Sequence, residues 1–105
     1  MKTLIIGSSG LIGRNLTSSL VEQDESVICM DLDMGATPNL DGIELVQGDV
    51  TNYDEVLQTI TKYEPDRIVH LAYLVGRGAL QDLSLSLRVN LLGVDNVFRA
   101  SVETS

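Results

Sequence analysis

The chain has 105 residues, a length that fits one domain, and its 44% hydrophobic content is enough for a small core. Fifteen acids against 7 bases give a net charge of −8, with one Phe, three Tyr and no Trp; this argues against nucleic acid and anionic membrane surfaces as partners. Cys29 is the only cysteine, so no internal disulfide is possible and a reducing cytoplasmic setting is expected, and no apolar run is long enough to span a bilayer.

The chain then reads as alternating strands and helices. Thr3–Ile6 is a short apolar strand that ends at Gly7-Ser-Ser-Gly10-Leu-Ile-Gly13. The run is too soon broken by glycine and serine to be a signal peptide. Leu11–Gln23 is a helix, with Leu11, Ile12, Leu16, Leu20 and Val21 expected on its inward face. Ser26–Asp31 is a second strand, apolar throughout, as when both faces of a parallel sheet are covered. Leu32–Gly42, with Gly35, Pro38, Asn39 and Asp41-Gly42, is a loop. Ile43–Gln47 is a third strand. Asp54–Tyr63 is a helix that Thr51 or Asn52 can cap and that Glu64-Pro65-Asp66 ends. Arg67–Ala72 is a fourth strand, Tyr73–Ala79 a loop with Gly76 and Gly78, and Leu80–Val102 one long helix.

This order predicts an α/β fold: a parallel four-stranded sheet with helices on both faces. Right-handed crossovers give the strand order 3-2-1-4, a partial Rossmann arrangement.

The glycine triplet carries the chemistry. A strand running into G-x-x-G-x-x-G and then a helix brings backbone N–H groups and a positive helix end to a pyrophosphate. Gly7 permits the tight turn, Gly10 leaves room for phosphate, and Gly13 lets the helix pack on the strand. Ser9, Leu11 and Ile12 belong to the same turn. A P-loop is excluded, because Arg14 and Asn15 follow Gly13 where a Lys-Ser/Thr pair is needed. Asp31, with Leu32 beside it, ends the second strand near the ~20-residue offset of an acid that binds the adenosine ribose hydroxyls. Its carboxylate repels a 2′-phosphate, and no Lys or Arg lies between it and Asn39 to accept one, so NAD is favoured over NADP.

Gly7-Ser-Ser-Gly10-Leu-Ile-Gly13, Asp31-Leu-Asp33, Gly48-Asp49-Val50, His70-Leu71-Ala72 and Val89-Asn90-Leu-Leu-Gly93-Val-Asp-Asn96 occur in an order and spacing that covers essentially the whole chain. In this the chain resembles the N-terminal portion of the extended short-chain dehydrogenase/reductase family, which contains NAD-dependent nucleotide-sugar epimerases and dehydratases. The resemblance implies that Asp49 accepts from the adenine amino group while Val50 packs on the ring. It implies that Leu71 and Ala72 lie against the cofactor's ribose and pyrophosphate; Tyr73 stands where the family usually has a second small residue. The resemblance likewise implies that Asn90 braces the active-site backbone from the final helix. His70, the only histidine, is a structural position, and one His with one Cys argues against a transition-metal site.

The family's catalytic core is a Tyr-x-x-x-Lys pair with a nearby Ser or Thr, supplied beyond the fourth strand. Here Tyr53, Tyr63 and Tyr73 are followed at plus four by Leu57, Arg67 and Arg77, so no catalytic residue is assigned. The chain therefore reads as a truncated NAD-binding domain, able at most to hold the adenosine side of the cofactor. The competing reading is a stand-alone dinucleotide-binding or redox-sensing module without chemistry. A receiver or flavodoxin-like domain fits poorly, because the first strand leads to glycines rather than to an acidic pair. Within the final helix, Leu80, Leu83, Leu87, Leu91, Val94, Val97 and Phe98 form one apolar stripe, and Leu85, Val89 and Leu92 form another roughly opposite. Two apolar faces and an open edge at 67–72 predict self-association through this helix or that edge.

Overall fold

The computed structural model describes residues 1–74 and 76–105, and of Arg77 and Gly78 the backbone alone. Val75, within the loop expected over Tyr73–Ala79, lies outside the described residues.

Apolar runs form the centre of a parallel sheet: β1 (Lys2–Ile6), β2 (Ser26–Asp31), β3 (Ile43–Gln47) and β4 (Arg67–His70), in the order β3-β2-β1-β4. In register, Ile5 lies between Cys29 on β2 and Val69 on β4. Each β1 and β2 residue faces one side only, so the two strands feed two layers. Leu4, Ile6, Ile28 and Met30 join Val50, Val56, Ile60, Val97 and Ala100 on one side. Ile5, Val27 and Cys29 meet Leu20 on the other, with Leu16 and Val21 packed alongside. β3 and β4 are the edges. β3 carries Glu44 and an exposed Leu45, the charged character expected of an edge.

Helix α1 (Leu11–Glu22) crosses the smaller layer and buries Gly13, Thr17 and Leu20. Leu11 and Ile12, expected on its inward face, are 69% and 66% exposed. They occupy the first turn, and the buried positions of the helix begin at Gly13. Asp24, at φ 59, turns the chain out of α1, and the Glu25 N–H bonds back to the Leu20 carbonyl at 3.1 Å.

Helix α2 (Tyr53–Tyr63) packs on the larger layer. Of the two residues able to cap it, Asn52 does so, its side chain accepting from the Glu55 N–H at 3.2 Å. Glu64, left-handed at φ 46, closes it.

The single long helix expected over 80–102 is corrected by the structure. Helix α3 (Arg77–Gln81) begins inside the predicted loop, and Asp82 breaks the helix with an extended backbone (φ −143, ψ 91). Its carboxylate then accepts from the Leu85 N–H at 2.9 Å and caps α4 (Leu83–Leu87). The chain continues through a π-helical turn (Arg88–Leu92) into α5 (Gly93–Thr104).

The residues expected to form one apolar stripe over 80–98 do not share one environment. Leu80, Leu83, Leu87, Leu91 and Phe98 are exposed, whereas Gly93, Asn96, Val97 and Ala100 face the core. The reason is distance: a Cβ on Gly93 would lie 2.9 Å from Val50 Cγ1, so α5 approaches too closely for a leucine there. Asn96 fits because its Nδ2 donates to the Val50 carbonyl at 2.9 Å.

Candidate functional site

A cleft of about 230 Å³ opens at the carboxyl ends of β1, β2, β3 and β4, where ligands bind in open parallel sheets. The loops after the strands build it. Gly7 and Gly10 come from the first, Asp31 and Leu32 from the second, Asp49 and Val50 from the third, and Leu71, Ala72 and Tyr73 from the fourth. Of the other residues expected at the site, Ser9, Leu11, Ile12, Gly13 and Asn90 do not line the cleft. Ile6, Gly48, Leu74 and Val89 do line it and were not anticipated. Gly48 and Val89 lie within the quoted motifs, and Ile6 and Leu74 directly flank Gly7 and Tyr73.

The glycine turn is built by close backbone approach. Gly7 sits at φ 96 and its N–H donates to the Met30 carbonyl at 2.8 Å. A Cβ there would lie 2.6 Å from the Leu71 carbonyl carbon. Gly13 is tighter still, since its Cβ would meet the Gly7 oxygen at 2.3 Å. Gly10 differs: the nearest atom to its Cβ would be 3.6 Å away, an ordinary contact, so packing does not require glycine there. Gly10 is also the N-cap of α1, with no side-chain cap bond and no acid in the first turn. The first N–H groups of α1 are thus donors without a side-chain acceptor among the described residues, at the positive end of the helix dipole. Arg14 folds back, its Nε 3.4 Å from the Gly10 carbonyl.

Asp31 stands opposite. Its Oδ2 accepts from the Ser9 N–H at 2.9 Å, while Oδ1 has only a long 3.4 Å contact with the Asp33 N–H. One carboxylate oxygen is therefore committed to the glycine turn and the other faces few competitors. Ser9 Oγ turns away from the glycine turn and donates to the Asp33 carbonyl at 2.6 Å.

Asp49 is not the cap of α2. Its Oδ1 accepts from the Thr51 N–H at 2.9 Å and the Thr51 hydroxyl at 2.7 Å, and its own N–H donates to Glu55. Val50 is buried and Gly48 binds its N–H to the Asp31 carbonyl at 3.0 Å, which ties the ends of β2 and β3 together.

The fourth strand is shorter than expected and ends at His70, although the Leu71 N–H still bonds to the Ile6 carbonyl at 2.7 Å. Tyr73, 51% exposed, packs edge-on to His70 with ring centroids 5.3 Å apart. His70 is a wall residue of the fold. Among the described residues neither ring nitrogen finds a partner, and burial pushes its pKa down. Asn90 holds Leu74, one residue beyond Tyr73, by two hydrogen bonds. No group of three or more potential metal-ligating side chains occurs among the described residues. Nor, among them, is any helix long and apolar enough to cross a membrane.

A parallel sheet of order 3-2-1-4 with a glycine turn, a strand-end acid and a helix N-terminus at one cleft defines a dinucleotide-binding class of α/β domain. The chain belongs to the NAD dependent epimerase/dehydratase family, whose model matches residues 3–105. It is 35% identical over 109 residues to a CDP-paratose 2-epimerase from Salmonella typhi, covering 95% of this chain and 32% of that protein. Among solved structures, an epimerase from Methanothermobacter thermautotrophicus superimposes with a TM-score of 0.85 at 31% identity, over 95% of this chain and 31% of that one. A UDP-glucose 4-epimerase from Thermus thermophilus, solved as a complex with NAD, gives 0.89 at 22% identity, over 99% and 34%; at that identity it supports the Rossmann fold alone. The chain thus spans about a third of the length of the relatives it matches.

Proposed function

We propose that the chain is the NAD-binding N-terminal portion of an extended short-chain dehydrogenase/reductase acting on a nucleotide-linked sugar. The observation that carries this is the cleft itself, which gathers Gly7, Gly10, Asp31, Asp49 and Val50 from separate loops. The glycine turn Gly7–Gly13 serves the pyrophosphate: Gly7 and Gly10 line the cleft, the N–H groups of Leu11, Ile12 and Gly13 open α1 toward the anion, and Ser9 ties the turn to Asp31. Asp31, beside Leu32, takes the adenosine ribose hydroxyls, and Asp49 with Val50 takes the adenine. Leu71, Ala72 and Tyr73 form the wall toward the nicotinamide, and Asn90 holds that wall in place.

At about 230 Å³ the cleft is smaller than the roughly 300–1,000 Å³ of complete ligand pockets, which suits an adenosine half-site. When bound, NAD supplies a hydride acceptor; in the parent enzyme a sugar hydroxyl would be oxidised and the hydride later returned. The tyrosine–lysine pair for that step is not in this sequence, so the chain by itself binds without turning over. The same fact favours the second reading, a binding or sensing module with no chemistry. Asp31, with no Lys or Arg at 32–42, supports NAD over NADP.

Calorimetric titration with NAD and then NADP tests this. Saturable NAD binding abolished by Asp31→Ala supports an adenosine half-site and leaves the sensing module in play. Absence of binding by the folded chain removes the sensing module and leaves the fingerprint as architecture, with function residing in the parent enzyme.

Self-association is part of the same reading. Leu83, Leu87, Leu91 and Phe98 are exposed along 83–104, and a groove of about 840 Å³ lined by Ile68, His70, Val94 and Phe98 runs beside the open edge of β4. Light scattering that returned a monomer at micromolar concentration would refute it.

A further inference from the structure

Three hydroxyls join the glycine turn to the loop after β2, and their protons have only one consistent order. Ser9 Oγ donates to the Asp33 carbonyl at 2.6 Å, which uses its single proton. Thr37 Oγ1, 2.6 Å from Ser9 Oγ, must then be the donor in that contact. Ser8 Oγ, 2.8 Å from Thr37 Oγ1, must in turn donate to Thr37. The result is a directed chain, Ser8 to Thr37 to Ser9 to the Asp33 carbonyl. Ser8 is fully buried and Thr37 is 8% exposed, so water does not compete at its inner end.

Ser9 links this chain to the cleft. Its hydroxyl holds the Asp33 carbonyl while its N–H holds Asp31 Oδ2 at 2.9 Å. Asp33 is fixed a second time, its Oδ1 accepting from the Gly35 N–H at 2.9 Å, and the Thr37 N–H closes the turn on the Met34 carbonyl at 3.1 Å. Thr37 thus stands at the junction: it accepts from the glycine turn at Ser8 and donates back to it at Ser9.

We propose that Thr37 is a positioning residue for dinucleotide recognition. Its hydroxyl fixes Ser9, and Ser9 aims the Asp31 carboxylate at an adenosine ribose whose 2′-hydroxyl is unmodified. This rests on the dinucleotide reading above and deepens it. Thr37 touches no ligand. It keeps the acidic loop 32–37 against Asp31, so that a 2′-phosphate meets a fixed carboxylate and a loop with no cation to swing toward it.

The test is calorimetric titration of the full chain with NAD and NADP, for wild type, Thr37→Val and Thr37→Ser, each checked for folding by thermal unfolding. Valine keeps the shape and removes the hydroxyl; serine keeps the hydroxyl. Thr37→Val is expected to weaken NAD about tenfold and to narrow the NAD/NADP ratio, and Thr37→Ser to restore both to within about threefold of wild type. Wild-type behaviour of folded Thr37→Val overturns the proposal, as does a Thr37→Ser variant as impaired as the valine. If Thr37→Val does not fold, Ser9→Ala keeps the buried Ser8–Thr37 bond and breaks the chain beyond it. The same loss is expected there, and unchanged NAD affinity overturns the proposal. Failure of wild type to bind NAD overturns the dinucleotide reading and this inference together, a pattern distinct from failure at Thr37 alone.

Discussion

Asn90 closes both of its hydrogen bonds on one residue: its Oδ1 accepts from the Leu74 N–H at 2.8 Å and its Nδ2 donates to the Leu74 carbonyl at 2.9 Å. Leu74 lines the cleft, so a side chain outside the site fixes a stretch of its wall. Asn90 does this from within the π-helical turn, a feature that often accompanies functional sites. Asn90→Ala leaves two half-buried backbone groups without partners. It is expected to cost about 1–3 kcal/mol in urea unfolding, and to weaken NAD more than that loss of folded population explains.

Two glycines of the same turn make opposite predictions. Gly13→Ala drives a methyl group to 2.3 Å from the Gly7 oxygen and 2.8 Å from Ser8 Cα, both rigid backbone. It is expected to destabilise the fold by about 1–3 kcal/mol or more. Gly10→Ala meets nothing closer than 3.6 Å and should leave the unfolding midpoint within about 0.5 kcal/mol of wild type. Its effect should appear in the NAD titration alone. NAD affinity unchanged in Gly10→Ala would show that no phosphate approaches there.

His70 makes stability depend on pH. Burial lowers its pKa below the ordinary value of 6.5, and among the described residues no partner offsets this. Above about pH 6.5 both folded and unfolded states hold the neutral ring, and stability is full. As pH falls below that value the unfolded state takes up a proton first, so stability drops until the folded pKa is reached. Urea midpoints at pH 7.5 and 5.5 should therefore separate in wild type, and the separation should shrink in His70→Gln. An equal separation in the variant would assign it to other groups.

Cys29 should be inert. It is fully buried, and burial raises its pKa. Thr17 Oγ1 already donates to the Gly13 carbonyl at 2.7 Å, so in its 3.6 Å contact with Thr17 the thiol is the donor. A thiol reagent at pH 8 is expected to label the chain only after denaturant is added. Rapid labelling of the native chain would contradict this burial.

The parts of the molecule legible in the sequence are those with a local signature. β1 and β2 read as strands because both faces are covered and their residues are almost all apolar. The Gly7 turn, the close packing at Gly13 and the place of Asp31 at the end of β2 were legible because backbone approach and strand-end position leave a mark on residue type. The single helix over 80–102 misread its start, because leucines continue at helical spacing through Asp82; what breaks the helix is an extended backbone at a residue equally able to cap the next one. Periodicity marks two apolar faces over 80–102 without deciding which of them packs; the closeness of Val50 to Gly93 decides it, and that is a tertiary fact. Thr37 lay in a loop read only as polar. Its contacts with Ser8 and Ser9 join positions far apart in sequence, and nothing local announces them.

The two layers of this sheet are unequal, and the nucleotide turn hangs from the lesser one. α1 is anchored by Leu20, with Leu16 and Val21 beside it, over a layer with four buried core residues among those described, against nine beneath α2 and α5. Amide exchange should therefore reach α1 through partial openings before it reaches the centre of the sheet. On the proposed reading, a dinucleotide on Gly10 and the first turn of α1 would bind only the closed form, and its binding energy would be added to the opening cost of that one helix. Saturating ligand should thus slow exchange in α1 by the largest factor, giving the least protected face of the free protein the greatest gain in persistence.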